Sequence, residues 1–267
     1  MKLGICYRPN LHKKFLSDFI DEISAIEIMP DIMLVKEMEN LRDLCQQKNI
    51  DIGLHCLKSS LFSPEGPQIN ELENYYYVYQ YLDAKYFSDH IAYSHYKNRY
   101  LSSVAPIEYS EKNIEVFKNN FSVLKEYFSN NFLIENITQY HLFSESEFSE
   151  SQFIRKITES CSVDLMFDLT NMYITSKRNG LEFEDYIREY PFDRVKVLHV
   201  SGIFVDKNGL YQDTHEADLE DEILSLLEKL KDKMINLSYV FVERDFNVEK
   251  KEDILRDIKQ LKRIFPY

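Results

Sequence analysis

The sequence of 267 residues contains no tryptophan and only six glycines. None of the glycines forms a GxGxxG or P-loop pattern, so the sequence does not support a nucleotide-phosphate cradle. It also lacks the GxSxG motif that marks many serine hydrolases. No stretch approaches the roughly 18 consecutive apolar residues of a membrane span, and the opening MKLGICYRPN lacks the apolar core of a secretory signal. We therefore expect a cytoplasmic protein with no membrane partner.

Basic residues and paired cysteines are also scarce. There are 32 Lys and Arg against 45 Asp and Glu, which gives a formal net charge of −13. Because nucleic-acid binding relies on clustered Lys and Arg, this balance argues against a nucleic-acid partner. The four cysteines, Cys6, Cys45, Cys56 and Cys161, include no CxxC pair. They are expected to be reduced thiols, most of them buried.

Strand-like runs alternate with helix-like segments along the whole chain. The strand-like runs occupy 2–8, 25–30, 51–56, 84–91, 132–136, 163–171, 194–202 and 237–245. The last helix-like segment has an apolar stripe formed by Ile254, Leu255, Ile258, Leu261 and Phe265. Eight strands, each followed by helical sequence, predict a (β/α)8 TIM barrel of the xylose-isomerase-like type, with 1–267 as a single catalytic domain. A doubly wound open sheet is the alternative.

Polar side chains stand where the predicted strands end, which is where the chemistry of such barrels is found. For strands two to eight these residues are Glu27, His55, His90, Glu135, Asp168 with Asn171, His199 and Glu243. The loop after strand seven adds Asp213 and His215, whose side chains face the same way if the segment is extended. Glu27 is the weakest candidate and is expected to lie behind a ligand. The remaining histidines, His12, His95 and His141, are predicted to lie on the surface.

Four histidines and at least four carboxylates at one rim fit borderline divalent ions such as zinc, iron or manganese. Carboxylates packed this closely would resist full ionisation unless cations neutralised them. The ligands are too many for one ion, so two or three ions bridged by a carboxylate fit better. Taken singly, each residue has a packing explanation. For example, Glu135 or Glu243 could form a buried ion pair with Arg244.

With these residues in view, the chain resembles the multinuclear non-heme iron-dependent oxidative enzymes, the DUF692 family, and most of all their methanobactin-biosynthesis branch. The resemblance is carried by "GLH" at His55, "SDHIAY" at His90, "LIEN" at Glu135, "FDLTN" from Asp168 to Asn171, "LHVSG" at His199, "DTH" from Asp213 to His215, and "VERDFNVE" around Glu243. Each motif is short, but their order and spacing together are specific.

The resemblance implies a barrel that binds two or three irons and uses O2 to modify cysteine in a ribosomally made precursor peptide. It implies one iron at His55, His90 and a bridging Glu135. It implies a second iron at Glu135, Asp168, His199 and Glu243, and a third site at Asn171, Asp213 and His215. Expected catalytic residues are Glu135, Asp168, Asn171 and Asp245, while Arg244 and Ser201 are candidates for supporting or peptide contacts. A small leader-binding partner protein, forming a heterodimer with this chain, is also implied.

Other readings of the same ligands remain open. The layout also resembles the endonuclease-IV-like barrels, which hydrolyse phosphodiesters with three zinc ions. Those enzymes have a histidine where this chain has Asn171, and they carry a basic DNA-binding surface. A two-metal sugar isomerase would normally supply a lysine or paired-histidine base, which we cannot place. A metal-loaded binding scaffold without activity is the non-enzymatic alternative.

Overall fold

The structure is a computed structural model that describes residues 1–96, 99–246, 248 and 251–266, and for Ser102 the backbone only. Asn247 and Glu249, at the end of the "VERDFNVE" segment, lie outside the described residues. Within these limits eight parallel strands close into a barrel. In chain order they are β1 (Lys2–Tyr7), β2 (Ala25–Ile28), β3 (Asp51–His55), β4 (Phe87–His90), β5 (Phe132–Glu135), β6 (Asp164–Asp168), β7 (Val195–Val200) and β8 (Tyr239–Val242). The predicted (β/α)8 barrel is therefore confirmed.

Each barrel strand pairs in parallel with its two sequence neighbours in the barrel, and β8 closes the ring against β1. Cys6 of β1 is in register with Glu27 of β2, and His90 of β4 is in register with Glu135 of β5. Asp168 of β6 is in register with His199 of β7. This register brings the polar strand ends to one level at the carboxyl end of the barrel.

Helices surround the barrel, and the side chains of Ser110, Ser149 and Asp168 each cap the start of one of them. The helices are α1 (Pro9–His12), α2 (Leu16–Phe19), α3 (Val35–Lys48), α4 (Ile69–Tyr81), α5 (Glu111–Phe128), α6 (Glu150–Cys161), α7 (Leu169–Arg178), α8 (Phe183–Tyr186), α9 (Asp221–Leu230) and α10 (Lys251–Ile264). The capping box predicted at the start of α6 is present, because Ser149 and Gln152 exchange side-chain and backbone hydrogen bonds. No helix in the described part of the chain has the length and apolar character needed to cross a membrane.

Two hairpins outside the barrel were not predicted from the sequence. The first hairpin pairs Tyr93–Tyr96 with Arg99–Ala105 and follows β4 directly. The second hairpin pairs Phe204–Val205 with Tyr211–Gln212 within the loop after β7. Both therefore lie in loops that leave the carboxyl ends of barrel strands.

The barrel interior is a small apolar core of its own. Its buried members are Cys6, Ala25, Tyr86, Leu133, Met166, Val197 and Phe241. Tyr86 fits because β3 carries glycine at position 53: a Cβ there would lie 2.3 Å from the tyrosine ring. The phenol of Tyr86 then reaches Glu27 and donates to its Oε2 at 2.6 Å. The packing of the barrel interior thus fixes a carboxylate just below the rim formed by the carboxyl ends of the strands.

Candidate metal centre

The polar residues predicted at the strand ends converge in the structure. His55, His90, Glu135, Asp168 and His199 are the last or nearly last residues of their strands, and Glu243 follows β8 at once. All but His90 are buried, and the His90 side chain is only 13% exposed. Side chains of this polarity are rarely buried together without partners or a bound cation.

His55, His90 and Glu135 form the first group of ligand atoms. Glu135 Oε2 lies 3.2 Å from Nε2 of His55 and 3.2 Å from Nε2 of His90. The two histidine nitrogens are themselves 3.2 Å apart. Three nitrogen and oxygen atoms that face a common point at this spacing are suited to a divalent metal ion.

The other ring nitrogen of each histidine is held by a neighbour. Nδ1 of His55 lies 3.0 Å from Oγ of Ser88, which donates to the carbonyl of Leu54. Nδ1 of His90 lies 3.2 Å from Oδ1 of Asp89, whose Oδ2 accepts from Ser59. Such contacts fix the ring orientation and the tautomer of metal-ligating histidines. They leave Nε2 of both rings free to face Glu135.

Glu135, Asp168, His199 and Glu243 form the second group, and each offers an atom within 4.8 Å of the others. The second oxygen of Glu135, Oε1, is 3.1 Å from Nδ1 of His199. Oε2 of Glu243 is 3.3 Å from the same nitrogen. Nδ1 of His199 nevertheless makes no hydrogen bond among the described residues. The atoms point at a shared space more than at each other, as metal ligands do.

Only one of the two carboxylate oxygens of Asp168 accepts a hydrogen bond from a described residue. Oδ1 accepts from the backbone N–H of Asn171 at 2.7 Å and so caps α7. Oδ2 is buried and has no hydrogen-bond partner in the described part of the chain. Burial, together with the charges of Glu135 and Glu243, raises the pKa of Asp168 well above its usual range. A cation at this place would relieve both the repulsion and the unsatisfied oxygen.

Glu27 lies behind His199, as the sequence suggested for it. Its Oε1 is 2.9 Å from Nε2 of His199, on the side of the ring opposite the second group. Burial alone would raise the pKa of Glu27, but His199 beside it lowers that pKa to about 2. The arrangement is a carboxylate that orients a ligand histidine. Cys6 lies on the same side, with Sγ 3.7 Å from His199 Nε2.

Asn171, Asp213 and His215 also come together. Nε2 of His215 lies 2.6 Å from Oδ1 of Asp213. The Asn171 amide atom that faces Asp213 is 3.1 and 3.2 Å from its two oxygens. As an amide nitrogen this atom donates to Asp213; as the amide oxygen it needs a cation between the two residues. The extended geometry considered for this segment in the sequence analysis is not present, because His215 has a left-handed φ of +49°.

Arg8 is a part of the site that was not predicted, because only the ends of strands two to eight were considered in the sequence analysis. Its buried guanidinium donates to Glu243 Oε1 at 2.8 Å and pairs with Asp245 Oδ1 at 2.8 Å. Asp245 Oδ2 in turn lies 3.3 Å from Nδ1 of His215. Arg8 already neutralises Glu243 and Asp245, which face Nδ1 of His215. The Nε2 side of the ring, which faces Asp213, is therefore better suited to a metal ion. Arg8 directly follows β1, so the rule applied to strands two to eight would also have found it.

Some expectations for individual residues were wrong. Arg244 is not the cation beside Glu135 or Glu243; it pairs with Asp218 and Asp257 at 2.6 and 2.9 Å. His12 and His95 are buried, not on the surface. Their ring nitrogens bond to nearby groups at the rim: the His12 ring accepts from the Arg8 backbone, and His95 contacts Ser60.

His141 and Ser201, two further residues considered in the sequence analysis, differ in their exposure. His141 is exposed, as predicted. Ser201 is buried beside Thr170, and its backbone N–H donates to the hydroxyl of that threonine.

A cavity of about 550 Å³ opens onto these ligands. Its polar lining consists mainly of His55, His90, Glu135, Asn171, Asp213, His215 and Glu243. Its walls come from the first hairpin, through Ser103 and Val104, and from the loop after β5, through Ile137, Leu142 and Phe143. The volume lies in the range of ordinary ligand pockets, and it combines apolar walls with convergent polar groups.

Fold and site together define a (β/α)8 barrel with clustered histidines and carboxylates at the carboxyl end of its strands. A family model described as "RiPP precursor modification enzyme MbnB/TglH/ChrH" matches residues 2–265, and the chain belongs to this family. It is 25% identical to a UPF0276 protein of Vibrio parahaemolyticus over 258 residues, covering 93% of this chain and 88% of the relative. It is 22% identical to a UPF0276 protein of Caulobacter vibrioides over 256 residues, covering 96% and 91%.

Solved structures share the fold at low sequence identity. The IolI protein with a bound zinc atom superposes with a TM-score of 0.67 at 13% identity, covering 99% of this chain and 98% of that one. The 3-keto-D-glucoside 4-epimerase YcjR from E. coli superposes with a TM-score of 0.63 at 13% identity and the same coverage. These similarities support the barrel fold alone.

Proposed function

We propose that this enzyme uses iron and O2 to modify cysteine residues oxidatively in a ribosomally synthesised precursor peptide. One observation carries the proposal: the two oxygens of Glu135 face two separate groups of ligands at the floor of an open cavity. A carboxylate so placed can bridge two metal ions, as the resemblance requires. Membership of the precursor-modification family supports a peptide substrate.

His55, His90 and Glu135 would hold one iron, and Glu135, Asp168, His199 and Glu243 would hold a second. Asn171, Asp213 and His215 would complete a third site. The donor atoms fit because all are nitrogen or oxygen, and because the unsatisfied Oδ2 of Asp168 needs a positive charge. When bound, iron supplies the capacity to oxidise a substrate cysteine with O2.

The chain's own residues would prepare the cavity for a peptide. Val104, Ile137, Leu142 and Phe143 provide apolar walls that exclude water from around a bound cysteine. His55 and His90 line the floor, so a substrate thiol that enters would lie next to the first group of ligands. Asp245 is held by Arg8 and His215, and we propose that this fixes the loop carrying His215.

A small leader-binding partner would dock on the same face of the barrel. The segment after β2 exposes three apolar side chains, Ile32, Leu34 and Val35, at 53%, 71% and 68%. This segment leaves the carboxyl end of a barrel strand, so it lies on the catalytic side. Leu34→Glu should reduce copurification with a partner protein encoded beside this one, while an exposed substitution at the other end of the barrel, Ile235→Glu, should not. We also propose the cytoplasm as the location, since all four cysteines are unpaired.

The metal requirement can be tested directly. Protein purified without oxygen should contain iron, and adding ferrous iron to metal-free protein should restore turnover of a cysteine-containing precursor in air. Zinc should not restore it, because zinc has no redox chemistry. Protein that holds zinc alone, and gains no activity with ferrous iron, would contradict the proposal. Such a result would favour a hydrolase or isomerase on the same barrel.

A further inference from the structure

A second cavity, of about 600 Å³, lies beside the first. The two share Leu142 and Phe143, which stand in the loop after β5. The second cavity is also lined by residues at the start of α6 and by Tyr109, just before α5. These helix starts lie at the catalytic end of the barrel. A chain bound over the metal centre can therefore continue past Leu142 and Phe143 into the second cavity.

The second cavity is apolar in its walls and acidic at its rim. Leu142, Phe143 and Leu181 are each more than a third exposed. Glu147 and Glu182 line the rim. Glu147 Oε2 accepts a hydrogen bond from the backbone N–H of Glu111 at 3.3 Å, and no ion pair of either carboxylate with a lysine or arginine is seen among the described residues. An exposed apolar surface of this kind, bordered by two carboxylates without an ion-pair partner, fits a side chain with an aliphatic stem and a positive end.

The nearby cations already have other partners. Arg188 pairs with Asp185, and Lys156 pairs with Glu111 at 2.9 Å. The Lys156 ammonium also lies 4.5 Å from the ring centre of Phe148, which lines the cavity. Among the described residues, neither cation forms an ion pair with Glu147 or Glu182.

The floor of the cavity carries a buried carboxyl group. Glu150 is 2% exposed, and its carboxyl accepts a hydrogen bond from the hydroxyl of Tyr186. Burial raises the pKa of Glu150 to about 7, with the hydrogen bonds of Tyr186 and Tyr109 opposing the rise. The floor is thus held by phenol groups, with no protein cation in contact among the described residues.

We infer that the second cavity binds a lysine or arginine side chain of the same peptide whose cysteine lies at the metal centre. The stem would pack on Leu142, Phe143 and Leu181, and the cation would face Glu147 and Glu182. The inference rests on the proposed function for the identity of the peptide. It adds a sequence requirement, a basic residue at a fixed separation from the modified cysteine.

The test measures binding without turnover. Fluorescent synthetic peptides, each with one cysteine and one lysine at a different separation, are titrated into iron-loaded protein without oxygen. Each is compared with a peptide that carries norleucine in place of lysine. At one or two separations the lysine peptide should bind roughly tenfold more tightly, as expected for a charge-assisted contact, and added salt should reduce this advantage.

Matched variants locate the effect. The double substitution Glu147→Gln and Glu182→Gln should reduce the advantage of lysine to less than twofold. The control, Glu126→Gln with Glu159→Gln, removes two exposed charges from the far ends of α5 and α6 and should leave it unchanged. A lysine peptide bearing a photo-crosslinker beside the lysine should label residues 142–150 or 180–186.

The outcomes separate this inference from the proposed function. No lysine preference at any separation, or a preference that survives the double substitution, overturns the inference. The inference is also overturned if the double variant no longer binds the partner protein but keeps the lysine preference, since the cavity would then be a binding surface for the partner. A lysine preference that is lost in the double variant, together with no oxidation of any peptide in air, would support the assignment of this cavity and contradict the proposed chemistry.

Discussion

Glu135 should be the position on which the metal centre depends most. Its Oε2 lies 3.2 Å from a nitrogen of His55 and of His90, and its Oε1 lies 3.1 Å from His199. Glu135→Gln keeps one oxygen, replaces the other with an NH2 group and removes the negative charge. Whichever way the amide turns, one of the two ligand groups then faces a donor. The first group also loses its only carboxylate charge, and the second group loses one of three.

The size of the effect follows from ligand chemistry. Removing a residue that only orients a ligand costs about 10- to 100-fold in metal affinity. Losing a ligand should cost at least as much, so Kd for ferrous iron should rise by about 100-fold, or ~2.7 kcal/mol, at both sites. Asn171→Ala should weaken only the third site. Glu135→Asp keeps the charge but withdraws the carboxylate by about 1.5 Å, so it should retain one iron and not two.

The assay is anaerobic reconstitution followed by elemental analysis. Protein is incubated with ferrous iron and a competing chelator, desalted, and analysed for iron per chain, with circular dichroism as the check on folding. Glu126→Gln, which lies at the far end of α5, serves as the control. Glu135→Gln that holds as much iron as the unmodified protein, with equal turnover, would refute the bridging role.

Two further predictions concern buried carboxyl groups, one behind a metal ligand and one at the floor of the second cavity. Glu27→Gln should weaken iron binding about 10- to 100-fold at the His199 site alone, because Glu27 holds the far side of that ring. Chelator titration should then show one weakened ion, and equal loss at the His55 site would count against this role. Glu150→Gln should change the pH dependence of stability. The pKa of Glu150 is raised to about 7, so the folded state holds a proton that the unfolded state releases above about pH 4.5. The free energy of unfolding of the unmodified protein therefore falls by up to about 3 kcal/mol as pH rises from 4.5 to 7. Glutamine does not ionise, so the variant should not show this decrease. Urea denaturation at pH 5 and pH 8 should show that the free energy of unfolding of the variant, relative to that of the unmodified protein, is higher at pH 8 than at pH 5. A difference between the two proteins that does not change with pH would contradict the assignment.

The barrel could be predicted from the sequence because its strands are short apolar runs that alternate regularly with amphipathic helices. All eight predicted strands are present, and their ends are within a few residues of those observed. Strand ends at one edge of a parallel barrel must converge, so His55, His90, Glu135 and His199 could be placed together before any geometry was known. The apolar stripe of α10 also lies where it was expected, with Ile254, Ile258 and Leu261 buried.

Loops and long-range polar contacts could not be predicted in the same way. The first hairpin follows β4 immediately, and its sequence lacks a turn signal strong enough to separate it from the helix that follows. His12 and His95 lie in loop or helix sequence that reads as exposed, but tertiary packing buries them. Arg8 and Arg244 each follow a barrel strand, and only the folded structure shows which carboxylates they meet. The left-handed backbone of His215 likewise depends on the surrounding loop.

The central claim is tested most directly by the mass of a precursor peptide made together with this enzyme. A cysteine-containing precursor encoded nearby is coexpressed with the enzyme and its partner in air, and the peptide is fragmented in a mass spectrometer. The account predicts a mass change confined to a cysteine-containing segment, and its loss when that cysteine is replaced by serine, because a hydroxyl is a poor ligand for iron and ionises far less readily than a thiol. The change should also disappear with Glu135→Gln. An unchanged mass beside iron-loaded enzyme in air would contradict the account.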